Sequence, residues 1–359
     1  MKRNMKLSAL LMSFLSIMLL VSSCSEVSPP DQLTNYLNDS DYPQDYWTTS
    51  TPSAQGMNEE MLANLMNEIN DRQYPIHSLL IIKNGYLVFE RYGDTYTPDC
   101  LHILNSTTKS FVSALFGIAL KEGYVSSIDD KMLTYFSDMS IKRMTTDKEN
   151  IRIKDLLCMR SGLEWNDQEI LTEYLSASDA VQYILDKPMV SAPDTAWYYN
   201  SGSSHLLSAI ITRTTGKSAE DYAKIKLFGP LGIKRYDWAE DRQNINLGGL
   251  GLSLTPRDMA KFGYLYLNKG KWNGDQIIPE DWVSTSTSVH SDTYWNKQFG
   301  YHWWIPADDC FASQGAFGQN IYIYPDKNIV VVYTAGLPVD TADTTLLQLT
   351  SDYIIPAIN

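Results

Sequence analysis

Ser106-Thr107-Thr108-Lys109 is the one place in this 359-residue chain where a lysine follows a serine by three positions. A serine hydroxyl is a poor nucleophile until a base takes its proton. Side chains three apart share a helix face, and an amine that burial partly desolvates holds its proton weakly enough to act as that base. The pair points to acyl chemistry through an ester on Ser106, with Lys109 as proton acceptor. Competing chemistries find less support. The five histidines (His77, His102, His205, His290, His302) show no pairing pattern with a serine, and no Gly-x-Ser-x-Gly occurs. His-Glu-x-x-His and Cys-x-x-Cys are absent too, so no metal site and no cofactor is expected.

Breaking an ester or amide calls for a second proton-handling group, because the leaving group must be protonated. A tyrosine in Tyr-x-Asn often supplies it. That pattern begins at Tyr36, Tyr198, Tyr266 and Tyr294. Tyr36 falls in a polar stretch, Tyr266 ends an amphipathic helix, and Tyr294 sits in a polar loop. Tyr198 and Asn200 stand just ahead of a helix and are the preferred pair. A third element should lay backbone beside the scissile carbonyl, and glycines mark such close approaches. The run 311–319, Phe-Ala-Ser-Gln-Gly-Ala-Phe-Gly-Gln, qualifies. The N–H of Ala316 would complete an oxyanion hole with that of Ser106.

These residues need elements to hold them. Ser106 to Lys121 is apolar on nearly all sides, with Asn105 able to cap its start and Gly123 to end it, so it reads as a helix buried mid-domain. Met57 to Asn70 has helical spacing. Leu79 to Lys83 and Tyr86 to Arg91 flank Asn84-Gly85, a two-residue hairpin signal. Ile321 to Tyr324 and Ile329 to Thr334 make a second hairpin, and Ala342 to Ile355 a closing helix. Residues 126–291 read mainly as helices, including Ser203 to Thr214, Pro256 to Leu267 and Pro279 to Ser284. Strands at both ends around a helical middle imply an α+β fold: one antiparallel sheet flanked by helices, plus a mainly helical subdomain.

The chain opens with Lys2, Arg3 and Lys6, an apolar run from Leu7 to Val21, and the small residues Ser22 and Ser23. That is the layout of a signal peptide over 1–23, with an apolar part short for a membrane span. Leu20 to Cys24 resembles a bacterial lipobox, which implies lipid on Cys24 and an exported, membrane-anchored protein on the periplasmic or cell-surface side. Residues 24–52, rich in Pro, Ser, Thr, Asp and Asn, read as a flexible spacer, and 53–359 as the folded body. A net charge of -13, more negative without the leader, repels nucleic acid. With Cys24 lipidated, Cys100, Cys158 and Cys310 remain; Cys158 reads as a buried hydrophobe, and a Cys100–Cys310 bridge is one possibility. The oligomeric state is not set by these features.

With Ser-x-x-Lys, Tyr-x-Asn and the Gly315 segment in that order, the sequence resembles the serine β-lactamase and penicillin-binding-protein superfamily, in its class C β-lactamase-like branch. Supporting segments are Ile153-Lys154-Asp155-Leu156-Leu157 with Ser161-Gly162-Leu163, Pro193-Asp194-Thr195, Gly248-Gly249-Leu250-Gly251 and Thr255-Pro256-Arg257-Asp258-Met259. The resemblance implies a β-lactamase/transpeptidase-like fold from about Pro52 onward. It also implies that Ser106 attacks a carbonyl, Lys109 and Tyr198 move protons, and Asn200, Ser313, Gln314 and Gly315 contact a small-molecule or peptide-like acyl substrate. One departure matters. Where the family has Lys-Thr-Gly or His-x-Gly, this chain has Ser313-Gln314-Gly315, without the basic residue that helps hold a substrate carboxylate. Phe-Ala-x-x-Gly-x-x-Gly-Gln looks more like the branch of esterases and 6-aminohexanoate-dimer hydrolases. The leading expectation is a hydrolase of an ester or amide. A D,D-peptidase or β-lactamase, and a surface binding lipoprotein without catalysis, are the alternatives.

Overall fold

The computed structural model of the chain describes residue 43 and residues 46–93, 95–294 and 297–359. The leader, Cys24 and the first part of the expected spacer lie outside the described residues. Among those described, no helix is long and apolar enough to cross a membrane.

The first hairpin is β1 (Ile76–Lys83) and β2 (Tyr86–Tyr92). β3 (His102–Ile103), β4 (Asp237–Trp238) and β5 (Leu252–Leu254) form a small separate sheet, and β6 (Lys271–Trp272) with β7 (Asp275–Gln276) a short ribbon. The remaining strands are β8 (Ser291–Asp292), β9 (Gln298–Phe299), β10 (Trp304–Ala307), β11 (Cys310–Ser313), β12 (Asn320–Tyr324) and β13 (Ile329–Ala335). The main sheet is antiparallel throughout, in the order β2-β1-β13-β12-β11-β10-β9-β8. Its centre joins the two ends of the described chain, since Leu80 pairs with Val332 and Ile82 with Val330. The expected α+β architecture is the one observed.

Six helices position the catalytic candidates: α1 (Glu59–Asp71), α2 (Thr108–Lys121), α3 (Asp167–Ser176), α4 (Ser201–Thr215), α5 (Pro256–Leu267) and α6 (Val339–Leu349). Both faces of the sheet are covered, which is why β1 and β13 are apolar at consecutive positions rather than alternating. Leu80, Ile82, Val330 and Val332 pack with α2 and α5, whereas Leu79, Ile81, Val331 and Tyr333 pack with α1 and α6. α2 is buried from Thr108 through Ala119, and its Phe111 ring stacks on Phe262 of α5 at 3.7 Å. The middle of the chain is mainly helical but also contributes β4 to β7. α4 begins two residues earlier than expected, and α6 ends at Leu349 in a π-helical turn over Thr350–Ile354.

Two expectations are corrected. The segment read as spacer to residue 52 is docked at its end: Thr49 bridges Leu87, Leu87 N–H donates to Thr48 O at 2.9 Å, and Trp47 is buried. Its indole N–H donates to Arg257 O at 3.3 Å, and its ring meets Tyr264 edge-on. An unpaired sheet edge and a hydrophobic anchor outweigh the polar composition around them. Cys310 is a free, buried thiol, so it forms no bridge to Cys100; Cys158 is likewise free and buried. Replacing Trp47 by Ala should cost about 3 kcal/mol of stability from the vacated volume. A lower urea midpoint with an unchanged slope would show it, and a midpoint equal to wild type would contradict the docking.

Candidate active site

Ser106 does not open α2 itself. It sits in a 3-10 turn, Asn105–Thr107, immediately before it. Asn105 has φ +49, a left-handed conformation that asparagine tolerates, and its Nδ2 donates to Ala316 O at 3.0 Å. Thr107 Oγ1 donates to Gln319 O at 2.5 Å. The Ser106 turn is thereby tied at two points to the segment after β11. Ser106 is half-buried and can be reached, while Lys109, one turn on, is 2% exposed.

The Lys109 amine has three oxygen partners: Ser106 Oγ at 3.1 Å, Ser201 Oγ at 3.0 Å and Gly249 O at 2.7 Å. Burial pulls its pKa down to about 8, against a smaller upward pull from Asp167. Such an amine holds its proton far more loosely than a solvated lysine, and the neutral fraction that a base needs grows as the pH passes about 8. The Gly249 carbonyl reaches it only because residues 248–249 lie against the first turn of α4. A Cβ on Gly248 would stand 2.1 Å from Ser204 O, and one on Gly249 2.8 Å from Ser201 Cβ. Both positions demand glycine for close approach.

The tyrosine at the site is Tyr199, not Tyr198. Lys109 Nζ stands 4.7 Å from the Tyr199 ring centroid, and the Tyr199 phenol is in hydrogen-bond contact with Ser106. Burial, with Asp167 adding to it, holds that phenol well above its ordinary pKa, so it stays protonated as a donor. Tyr198 faces the other way. Its ring lies 5.6 Å from that of Tyr294, an exposed residue to which it also hydrogen-bonds. Asn200 is the N-cap of α4, its Oδ1 accepting from Ser203 N–H at 2.8 Å, and it is buried. Ser201 takes the place beside Lys109 that Asn200 was expected to fill. The motif is real but one residue out of register: Tyr199-Asn200-Ser201.

The third segment is also corrected in part. Ser313 is buried with its Oγ 2.8 Å from Ser110 Oγ, beneath α2 rather than toward a substrate. Gln314 is buried on the opposite side of β11, its Nε2 3.5 Å from Tyr322 Oη. Gly315 is where backbone meets backbone, since a Cβ there would stand 2.2 Å from Leu104 O. This close pass sets the half-buried Ala316 beside the Ser106 turn, with the Asn105 amide spanning the two.

Two further residues belong to the site. Asp167, at the start of α3, receives the Ser201 hydroxyl at 2.7 Å. His302 is fully enclosed under α2, with Nδ1 3.2 Å from Lys109 O and Nε2 3.2 Å from Ser204 Oγ. Because a carbonyl only accepts, Nδ1 carries the proton and Nε2 accepts from Ser204. Burial and the nearby Lys109 push its pKa down to about 3, so it is neutral and structural. The preference of Asn for helix caps was the signal that could have removed Asn200 from the site. Asp167 carries no local signal. Tyr199→Phe should lower kcat/KM for an activated ester by roughly 10²- to 10⁴-fold, the usual worth of a proton-transfer group, with Tyr198→Phe within a fewfold of wild type. Equal losses in the two variants would contradict the register.

Comparison with known proteins agrees with this architecture. The chain is similar to the 6-aminohexanoate-dimer hydrolase of Paenarthrobacter ureafaciens, 20% identical over 320 residues that cover 80% of each chain. Its fold superposes on a class C beta lactamase from Rhodobacter sphaeroides with a TM-score of 0.66, at 18% identity over 84% of this chain and 100% of that one. An octameric penicillin-binding protein homologue from Pyrococcus abyssi gives 0.65, at 20% identity over 82% and 77% of the two chains. The Beta-lactamase family model matches residues 59–348, from the start of α1 to the last turn of α6, and the chain belongs to that family.

Proposed function

We propose that the chain is a serine hydrolase that cleaves an ester or amide through an acyl-enzyme on Ser106, with Lys109 as base and Tyr199 as proton donor. One observation carries this reading: an amine buried beside Ser106 Oγ at 3.1 Å, its pKa pulled down to about 8. In acylation the Ser106 O–H bond breaks, the proton passes to Lys109, and Oγ bonds to the substrate carbonyl carbon. The carbonyl electron pair moves to oxygen, facing the N–H groups of Ser106 and Ala316. The new ammonium lies over the π face of Tyr199, which favours its positive charge. As the carbonyl re-forms, the bond from its carbon to the leaving group breaks and Tyr199 gives that group its proton. Water then attacks the ester in the reverse sense, giving a proton to Tyr199 as its oxygen bonds to the carbon, and the ester bond breaks as Lys109 returns its proton to Ser106 Oγ.

The substrate side of the proposal rests on Ser313. The position that is basic in β-lactamases and D,D-peptidases is here a short side chain held against Ser110, which favours acyl substrates without a carboxylate next to the scissile bond. The relative that acts on a 6-aminohexanoate dimer makes a small amide a reasonable member of the class. Export and a lipid on Cys24 complete the proposal, on the strength of the leader-like start of the sequence.

A fluorophosphonate probe should add one adduct to the wild-type protein, mapped to Ser106; equal labelling of Ser106→Ala would overturn the reading. Since Lys109 must be neutral to accept the proton, hydrolysis of p-nitrophenyl butyrate should rise with pH through about 8 and then level off. A rate that falls across that range would contradict Lys109 as base. Cys24→Ala should move the expressed full chain from the membrane to the soluble fraction, and a wild type already soluble would remove the anchor.

A further inference from the structure

Behind Ser201, as seen from Lys109, stands Asp167, in the first turn of α3. Its Oδ2 accepts the Ser201 hydroxyl at 2.7 Å, and its Oδ1 accepts the Ser201 backbone N–H at 3.3 Å together with the Trp165 indole N–H. A hydroxyl has one proton to give. With that proton on Asp167, Ser201 can meet Lys109 only as an acceptor. The Gly249 carbonyl can only accept as well, at 2.7 Å. A neutral amine has two N–H bonds and one lone pair, and these two acceptors use both N–H bonds. The lone pair is left for the third neighbour, Ser106 Oγ.

We infer that Asp167 is a positioning residue for the reaction: through the Ser201 hydroxyl it orders the hydrogen bonds of Lys109 so that the amine's lone pair faces Ser106. The inference rests on the reading of Ser106 and Lys109 as nucleophile and base. The ordering also survives the reaction. When the Ser106 proton moves to Lys109, the N–H bonds to Ser201 and Gly249 stay in place, and the third N–H points where the lone pair was. A negative charge two hydrogen bonds away then stabilises the ammonium that has formed.

The other groups facing the amine do not supply this. The Tyr199 phenol stays neutral, because burial and Asp167 raise its pKa, and it offers Lys109 its ring face. His302 stays neutral because burial and Lys109 push its pKa down to about 3, and it engages the Lys109 carbonyl rather than the amine. Asp343 acts on Tyr199, also upward. The charge that offsets the burial of Lys109 is Asp167.

The test is kcat/KM for p-nitrophenyl butyrate against pH in the full chain, for wild type, Asp167→Asn, Ser201→Ala and the double variant, with fluorophosphonate labelling and thermal melts alongside. Asp167→Asn removes an anion that favours the ammonium, so the acidic limb should move to lower pH, by about half a unit or more. Its plateau should fall roughly tenfold as the proton order is lost, and Ser201→Ala should fall comparably. Because both act along one path, the double variant should lose no more than the worse single change. An acidic limb unmoved in Asp167→Asn overturns the inference even if the plateau drops, because packing loss alone lowers the rate without moving a titration. Should Asp167→Asn melt below the assay temperature, Ser201→Ala decides: a wild-type plateau overturns the inference, and a tenfold loss supports it. A wild type that neither labels nor turns over removes the hydrolase reading itself, and the inference falls with it. A wild type that labels while the limb stays put removes the inference alone.

Discussion

The structure is organised around one unfavourable act, placing the amine of Lys109 where water does not reach it. A lysine so buried gives up hydration of its charged form, which the protein partly compensates with fixed oxygens and a nearby carboxylate. Ser201, Gly249 and Asp167 come from three separate segments, and each must be held within hydrogen-bond distance for the arrangement to exist. The apolar girth of α2 reflects the same need. A helix buried from Thr108 to Ala119 can hold its one inward lysine still, whereas a surface helix would let the amine swing out to solvent.

The glycines serve the same end. Gly248 and Gly249 let a carbonyl approach the first turn of α4, and Gly315 lets the segment after β11 pass over the carbonyl of Leu104. At Gly248 and Gly315 the contact is backbone against backbone, and at Gly249 backbone against Ser201 Cβ, each at a distance no Cβ would allow. The Asn105 side chain, itself part of the Ser106 turn, then ties the two halves of the site together through the Ala316 carbonyl. Lys109, Ser201 and Tyr199 gather around Ser106, while Ser313 is turned inward against Ser110 and forms part of the floor.

The adjacent tyrosines show how a small geometric fact decides which ring reaches Lys109. Successive residues in an extended stretch point to opposite sides, so Tyr198 and Tyr199 cannot both face Lys109. Which one does is settled by the start of α4. Asn200 caps that helix, Ser201 opens it toward the amine, and the residue before the cap turns its ring into the site. A pattern match that prefers Tyr-x-Asn over Tyr-x-Ser lands on the outward-facing ring. Chemical similarity at one position is weaker information than the direction in which the backbone points it.

By itself the sequence determined what is local or patterned: the Ser106–Lys109 pair, the buried helix behind it, both hairpins, the α+β class and the close pass at Gly315. These are legible because helix and strand periodicities and glycine tolerances act over a few residues. Only the tertiary structure decided that the Tyr199 ring and not that of Tyr198 lies against Lys109, that Ser201 meets the amine, that Ser313 is buried, that residues 47–50 dock on the sheet, and that Asp167 lies behind Ser201. Those facts depend on segments roughly 30 to 200 residues apart meeting within about 3 Å, the range at which a hydrogen bond forms. No local propensity encodes such a meeting. It is set by how the helical middle of the chain closes over a sheet made from its two ends.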